Sequence, residues 1–121
     1  MKATELMVGD WVYDTILQSN AKIQAIKPLT IRCDIHTEHH LYCEFNPIHL
    51  TPEILEKNGW KETAYWHEYQ DGKNIIQCCL PDMRGKINGI EIEHFKCEYV
   101  HQYQHLLRLC GLDEIADNFK V

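Results

Sequence analysis

Leu50-Thr51-Pro52-Glu53-Ile54-Leu55-Glu56-Lys57-Asn58-Gly59-Trp60 is the stretch on which the fold is read, because both ends of a short helix are written in it. Thr51 is a good N-cap: its hydroxyl can accept a hydrogen bond from an otherwise orphaned backbone N–H. Pro52 suits the first helical position, where its missing N–H costs nothing. Glu53 puts negative charge in the positive first turn. Leu50 and Leu55 can close a hydrophobic staple across the start. Gly59 supplies the left-handed residue that ends the helix, and Trp60 can then pack back. The spacing predicts a helix over 52–58.

Strands are predicted on the N-terminal side. Gly9-Asp10 is a turn entering Trp11-Val12-Tyr13. Ser19-Asn20 is a turn before residues 21–26, where Ala21, Ile23 and Ala25 alternate until Ile26 breaks the register. Thr30–Ile35 alternates with Ile31, Cys33 and Ile35 on one face, and Leu41–Phe45 alternates before Asn46-Pro47 interrupts it. Short, turn-bounded strands of this kind predict a small twisted meander or partly closed barrel.

On the C-terminal side, residues 61–70 and 73–80 flank Asp71-Gly72, a two-residue hairpin signal. That register sets Tyr65 opposite Cys78 and Thr63 opposite Leu80. Asn88-Gly89 is a second turn before residues 90–99, whose alternation slips as though a bulge sat near His94. A helix follows from about Val100 to Cys110, with Tyr103, Leu106, Leu107 and Cys110 as its apolar stripe. Gly111 terminates it and Leu112 can pack back on Leu107. The residues after Asp113 are short and polar and are expected to fray. The fold class expected is α+β in a single compact domain. Its β-rich part, 1–50, resembles a small SH3-like barrel, and its helix-hairpin-helix part spans 51–121.

Length and composition narrow the function classes. The 121 residues are 45% hydrophobic and 25% charged, which suits an ordinary globular domain. No apolar run approaches the roughly 18 residues a membrane helix needs, and the start lacks an apolar signal core. A cytoplasmic protein with no membrane partner is expected. The net charge of −6 is spread along the chain: residues 1–50 carry four basic and six acidic side chains, residues 51–121 eight and twelve. Sequence-independent nucleic-acid binding needs a cationic footprint and is disfavoured. The six cysteines are expected to be reduced thiols. Adjacent Cys78 and Cys79 point to opposite strand faces and make a poor dithiol site.

Gly9-Asp10-Trp11-Val12, the stretch from Leu50 to Gly59, and Tyr99-Val100-His101-Gln102-Tyr103-Gln104-His105-Leu106-Leu107-Arg108-Leu109 resemble the signature stretches of a family of small uncharacterised proteins. Such proteins are common in gut bacteria, often near phage-like or mobile-element genes. The resemblance covers the whole length and implies a shared fold. It supplies no activity.

Candidate chemistry is sparse. His101 and His105 stand at i and i+4, a spacing that suits two zinc ligands, but zinc proteases read His-Glu-x-x-His. Gln102 stands where the glutamate would be, and glutamine cannot take a proton. His101, His105 and Arg108 lie opposite the apolar stripe, so they are expected to face solvent or a partner. Cys33, His36, His40 and Cys43 are the densest ligand cluster. If Ile35 pairs with Leu41, Cys33 falls opposite Cys43. That spacing matches no standard zinc finger, and the alternation makes Cys33 and Cys43 core residues. Glu91 and Glu93 share a strand face and read as an exposed edge. No Gly-rich phosphate loop is present. Trp66 lies on the face opposite Tyr65 and Cys78; if those two face the core, Trp66 is either covered by another element or exposed as a candidate partner contact.

The leading expectation is a non-catalytic accessory or interaction module of a mobile element, with no cofactor, binding a protein through His101, His105, Arg108 and Trp66. The first alternative is a zinc-binding, hydrolytic protein using His101 and His105 or the Cys33–Cys43 cluster. The second is a nucleic-acid binder acting through the barrel-like half.

Overall fold

The computed structural model describes residues 5–26, 30–34, 40–41, 45–64, 66–80, 84–92 and 97–121. The fold is α+β, and the chain divides into two compact units, Met1–Ile48 and His49–Val121.

The first unit holds strands β1 (Trp11–Asp14), β2 (Ser19–Ile26), β3 (Thr30–Cys33), β4 (His40–Leu41) and β5 (Phe45–Asn46). They form one antiparallel sheet in the order β4-β3-β2-β1-β5, curled into a half-barrel. The inward face carries Val12, Ala21, Ile23, Ile31, Cys33 and Phe45, closed by Leu6. Three aspartates take up backbone donors, Asp10 and Asp14 at turns and Asp34 from the end of β3 to β2. Asp10 accepts from the Met7 N–H at 2.8 Å, Asp14 from Ile16 and Leu17 at 2.8 and 3.0 Å, and Asp34 from Lys22 at 2.9 Å. The first two satisfy backbone donors that a tight turn would otherwise leave bare. The register of β2 against β3 shifts between Ile23 and Ala25, just before Ile26 breaks the apolar alternation of β2.

The second unit begins with α1 (Pro52–Lys57), capped as read. The Ile54 N–H donates to Thr51 Oγ1 at 3.2 Å. Gly59 has φ +95° and the Trp60 N–H closes onto Leu55 O at 3.0 Å. Strands β6 (Lys61–Glu62), β7 (His67–Asp71), β8 (Asn74–Cys79), β9 (Arg84–Ile87) and β10 (Ile90–Glu91) form an antiparallel meander in sequence order. The expected long strand over 61–70 is two strands, because the chain turns back between Glu62 and His67, which pair. Thr63 donates to Trp66 O from both its N–H (2.7 Å) and its Oγ1 (2.9 Å).

The β7–β8 hairpin also differs from the register read from Asp71-Gly72. Asp71 pairs with Asn74, so the loop is Gly72-Lys73, and Cys78 lies opposite His67 rather than Tyr65. Only Gly72 of the two loop residues adopts positive φ, which fits a turn with glycine first. The slip is an even number of residues, so the side chains of β7 and β8 keep their predicted faces. At the β9–β10 turn, Asn88 and Gly89 both have positive φ, 53° and 80°. The region of the expected bulge near His94 lies outside the described residues.

Helices α2 (Val100–Leu109) and α3 (Asp113–Asp117) complete the unit. Gln102 Oε1 accepts from the Glu98 and Tyr99 N–H groups at 3.1 Å each, holding the start of α2. Gly111, at φ +77°, lets the Leu112 N–H reach Leu107 O at 2.8 Å. Close approach of α2 to the sheet requires Gly85: a Cβ there would lie 2.6 Å from Leu106 Cδ2. The end of the chain packs instead of fraying. Ala116 and Phe119 are buried, and Phe119 meets Trp60 and Tyr103 edge to face at 5.7 and 6.1 Å. Asn58 pins the terminus, accepting from the Lys120 N–H at 2.7 Å and donating to Lys120 O at 2.6 Å. The Trp60 ring stacks on Tyr69 at 4.6 Å, and its Nε1 donates to the Tyr103 hydroxyl at 3.1 Å. A single apolar phenylalanine thus completes an aromatic cluster whose polar atoms already satisfy each other.

Candidate functional site

The residues singled out in the sequence disperse in the structure. His101 is buried, at 4% exposure, not facing solvent, and His105 is half-buried. Arg108 is committed to α3: its Nη2 lies 3.4 Å from Asp117 Oδ1, with the arginine side chain only 11% exposed. The exposed residue of α2 is Leu109, at 75%. The apolar stripe of Tyr103, Leu106 and Leu107 is buried as read, but α2 is covered on two sides, by the sheet at Gly85 and by α3. Gln104, polar and wholly buried, bridges to α3 by donating to Ala116 O at 3.1 Å. The His101 and His105 rings meet edge to face at 5.7 Å, and His101 stacks on Tyr99.

Cys33 is fully buried in the half-barrel core. Burial pushes its thiol up to about 12, with the Asp34 and Asp14 carboxylates adding to the rise. A metal or nucleophile role needs the thiolate, which this environment disfavours. Thr30 pairs with Leu41 and Ile31 with His40, so continuing that register does not set Cys33 opposite Cys43. His36 and Cys43, and the side chain of His40, lie outside the described residues. Cys33, Cys78, Cys79, Cys97 and Cys110 are free thiols. Burial raises the Cys97 thiol to about 12, and it raises Cys78 too, with Cys97 and Cys79 adding to the effect. Burial also holds the Tyr103 phenol well above its usual range.

The second unit builds a cleft of about 850 Å³ at one end of its sheet. Leu50, Thr51 and Pro52 from the start of α1 form one wall. Thr63, Ala64 and Trp66 from the β6–β7 turn form another, and Cys79, Leu80 and Arg84 close it where β8 leads to β9. The entry to α1 is fixed by the Leu50 N–H, which donates to Glu98 O at 2.9 Å, beside the His49–Tyr99 bridge. Trp66 is half-buried and lies under two cations: Lys86 Nζ is 4.6 Å from its ring centre and Arg84 Cζ 5.7 Å. Arg84 is further held by Glu91 at 2.8 Å, which orients the guanidinium at the cleft mouth. Cys79 faces opposite to Cys78, as the strand requires, and is buried in the cleft wall.

The inner margin of the cleft holds a second constellation. Glu62 and His67 are direct cross-strand partners on β6 and β7. Glu56, from the last turn of α1, completes a group whose ligand atoms all lie within 4.8 Å of one another. Among the described residues this is the one such group of three, and none of its members was singled out in the sequence. His67 is 9% exposed, and its Nε2 is buried with no hydrogen-bond partner among the described residues.

No helix among the described residues is long and apolar enough to cross a membrane. No family model matches the chain, and no curated protein or solved structure matches it.

Proposed function

We propose that the protein is a non-catalytic interaction module, carried by a phage-like or mobile genetic element as the resemblance of its three stretches implies. Its partner surface is the cleft of the second unit. The occupant is a short segment of a protein partner that places an aliphatic side chain against Trp66 and a carboxylate against Arg84 and Lys86. The observation that carries this reading is the setting of Trp66: half-buried, on the wall of an open apolar cleft, beneath two cations. Tryptophan and arginine dominate the binding energy of protein interfaces, because a large flat side chain is desolvated at little entropic cost. Leu50, Pro52, Ala64 and Leu80 supply the apolar lining, and the cation pair supplies the sign of the charge to be met. The partner face expected on α2 is replaced by this cleft, since His101 is buried and Arg108 is engaged with Asp117.

Panning a random-sequence peptide display library on the full chain tests the reading. Enriched peptides should pair aliphatic residues with Asp or Glu, and should bind wild type but not Trp66→Ala or Lys86→Glu. Selected peptides that bind all three proteins equally would refute the cleft as the partner surface.

A further inference from the structure

We propose that Glu56, Glu62 and His67 form a binding site for a divalent first-row transition metal such as Zn²⁺, at the inner margin of the cleft. The inference is independent of what the cleft itself binds.

The chemistry of the donor set comes first. Two carboxylates and one imidazole suit first-row divalent ions, whose preference runs to nitrogen and oxygen donors in small, well-defined shells. Calcium and magnesium favour all-oxygen shells and have little use for a buried imidazole. Three protein ligands leave at least one coordination position for water or an incoming group.

The geometry follows from local structure. Cross-strand pairing sets Glu62 and His67 side by side, and the last turn of α1 brings Glu56 to the same margin. The ligand atoms already lie within 4.8 Å of one another. Zinc–ligand bonds of about 2.0–2.2 Å put tetrahedral neighbours a little over 3 Å apart, so the carboxylates must close by roughly 1–1.5 Å. Both glutamates are exposed and can rotate to do so, while the histidine is fixed by its surroundings.

The second observation is the state of His67. Its imidazole is nine-tenths buried, and a ring nitrogen stands within 4.8 Å of a carboxylate oxygen from each glutamate. Nε2 meets no hydrogen-bond partner among the described residues. A buried polar atom left bare costs about 1–3 kcal/mol, and a bound ion is one partner that would remove that cost. The two glutamates bring the negative charge that a neutral imidazole lacks, and together they balance a divalent ion. Glu62 and His67 also line the cleft, so a bound ion would stand at its edge with its free position available.

Cobalt(II) and zinc titrations of the full chain test the site. Wild type should bind one Co²⁺ with a visible d–d spectrum and no thiolate-to-cobalt charge-transfer band, and Zn²⁺ should displace it and raise the melting temperature. Glu56→Gln and Glu62→Gln change exposed side chains, so both should fold. Changing an outer-shell partner of a metal typically weakens binding about 10–100-fold, so losing a direct ligand should cost each at least about 100-fold. His67→Gln should lose binding as well, with folding checked by circular dichroism. His105→Gln should bind as wild type does. A thiolate charge-transfer band would place the metal on cysteines and overturn the proposal. So would wild-type affinity in either glutamate variant, or no binding by wild type.

Discussion

Gly85→Ala tests the packing of α2 on the second sheet, and its sign depends on one neighbour. A Cβ at position 85 would stand 2.6 Å from Leu106 Cδ2, while Cys97 Sγ at 3.7 Å and Gln77 O at 3.8 Å are ordinary contacts. Carbon atoms rest at about 3.5–4.0 Å, so the leucine methyl must retreat by about 1 Å. Leu106 is 1% exposed and has little free volume in which to retreat. Inserting a methyl into such a core costs typically about 1–3 kcal/mol. Against this, alanine restricts the unfolded chain and returns about 0.4–1 kcal/mol where the backbone tolerates it. The net runs from near zero to roughly 2.6 kcal/mol of destabilisation, about 1.3 kcal/mol at mid-range, or a melting temperature lower there by about 5 °C.

The same substitution made on Leu106→Ala removes the clash and keeps the backbone term. Leu106→Ala alone should cost about 2–5 kcal/mol. On that background Gly85→Ala should stabilise, by about 0.4–1 kcal/mol. Urea unfolding of the four proteins, followed by near-ultraviolet circular dichroism, gives the cycle. An equal effect of Gly85→Ala with and without the Leu106 side chain would refute the account of Gly85 as a contact glycine.

Two further outcomes are expected. Phe119→Ala should cost about 3–5 kcal/mol in urea unfolding, because the ring is 1% exposed against Trp60 and Tyr103; a change within about 0.5 kcal/mol would mean the terminus is not part of the core. Stability should fall as pH rises from about 9 towards 12: Cys33 and Cys97, ordinarily near 9.0, are raised to about 12 in the folded chain, so the unfolded chain releases protons the folded one keeps. A urea midpoint that stays flat over that range would contradict the burial of both thiols.

What was legible in the sequence is what local chemistry fixes. Thr51, Pro52 and Gly59 bound α1 whatever packs on it, because a cap satisfies backbone groups within four residues of itself. Gly111 ends α2 for the same reason. Strand faces were legible as well: Val12, Ile31 and Cys33 alternate into the half-barrel core, and Cys78 keeps its inward face although its hairpin partner differs. The fate of the last nine residues was not legible. Asp113–Val121 reads as polar, and one phenylalanine carries its burial, which becomes visible only beside Trp60 and Tyr103. The outer face of α2 misled for a related reason. The stripe sets His101, His105 and Arg108 on the outside of a helix with one buried face, but this helix has two.

The Glu56, Glu62 and His67 group was illegible for a topological reason. Glu62 and His67 are five residues apart, and on one continuous strand they would point to opposite faces. Turning the chain back between them reverses that relation and makes them direct partners. The turn rests on Thr63, which gives two hydrogen bonds to a single carbonyl, that of Trp66. Thr63 and Ala64 carry none of the Gly, Asn or Pro signals by which a hairpin is recognised in sequence. The same turn sets Trp66 on the cleft wall and His67 at its inner margin, one residue apart and on opposite faces. Both candidate surfaces of the second unit therefore depend on one inconspicuous threonine, and a perturbation of that turn would displace the two together.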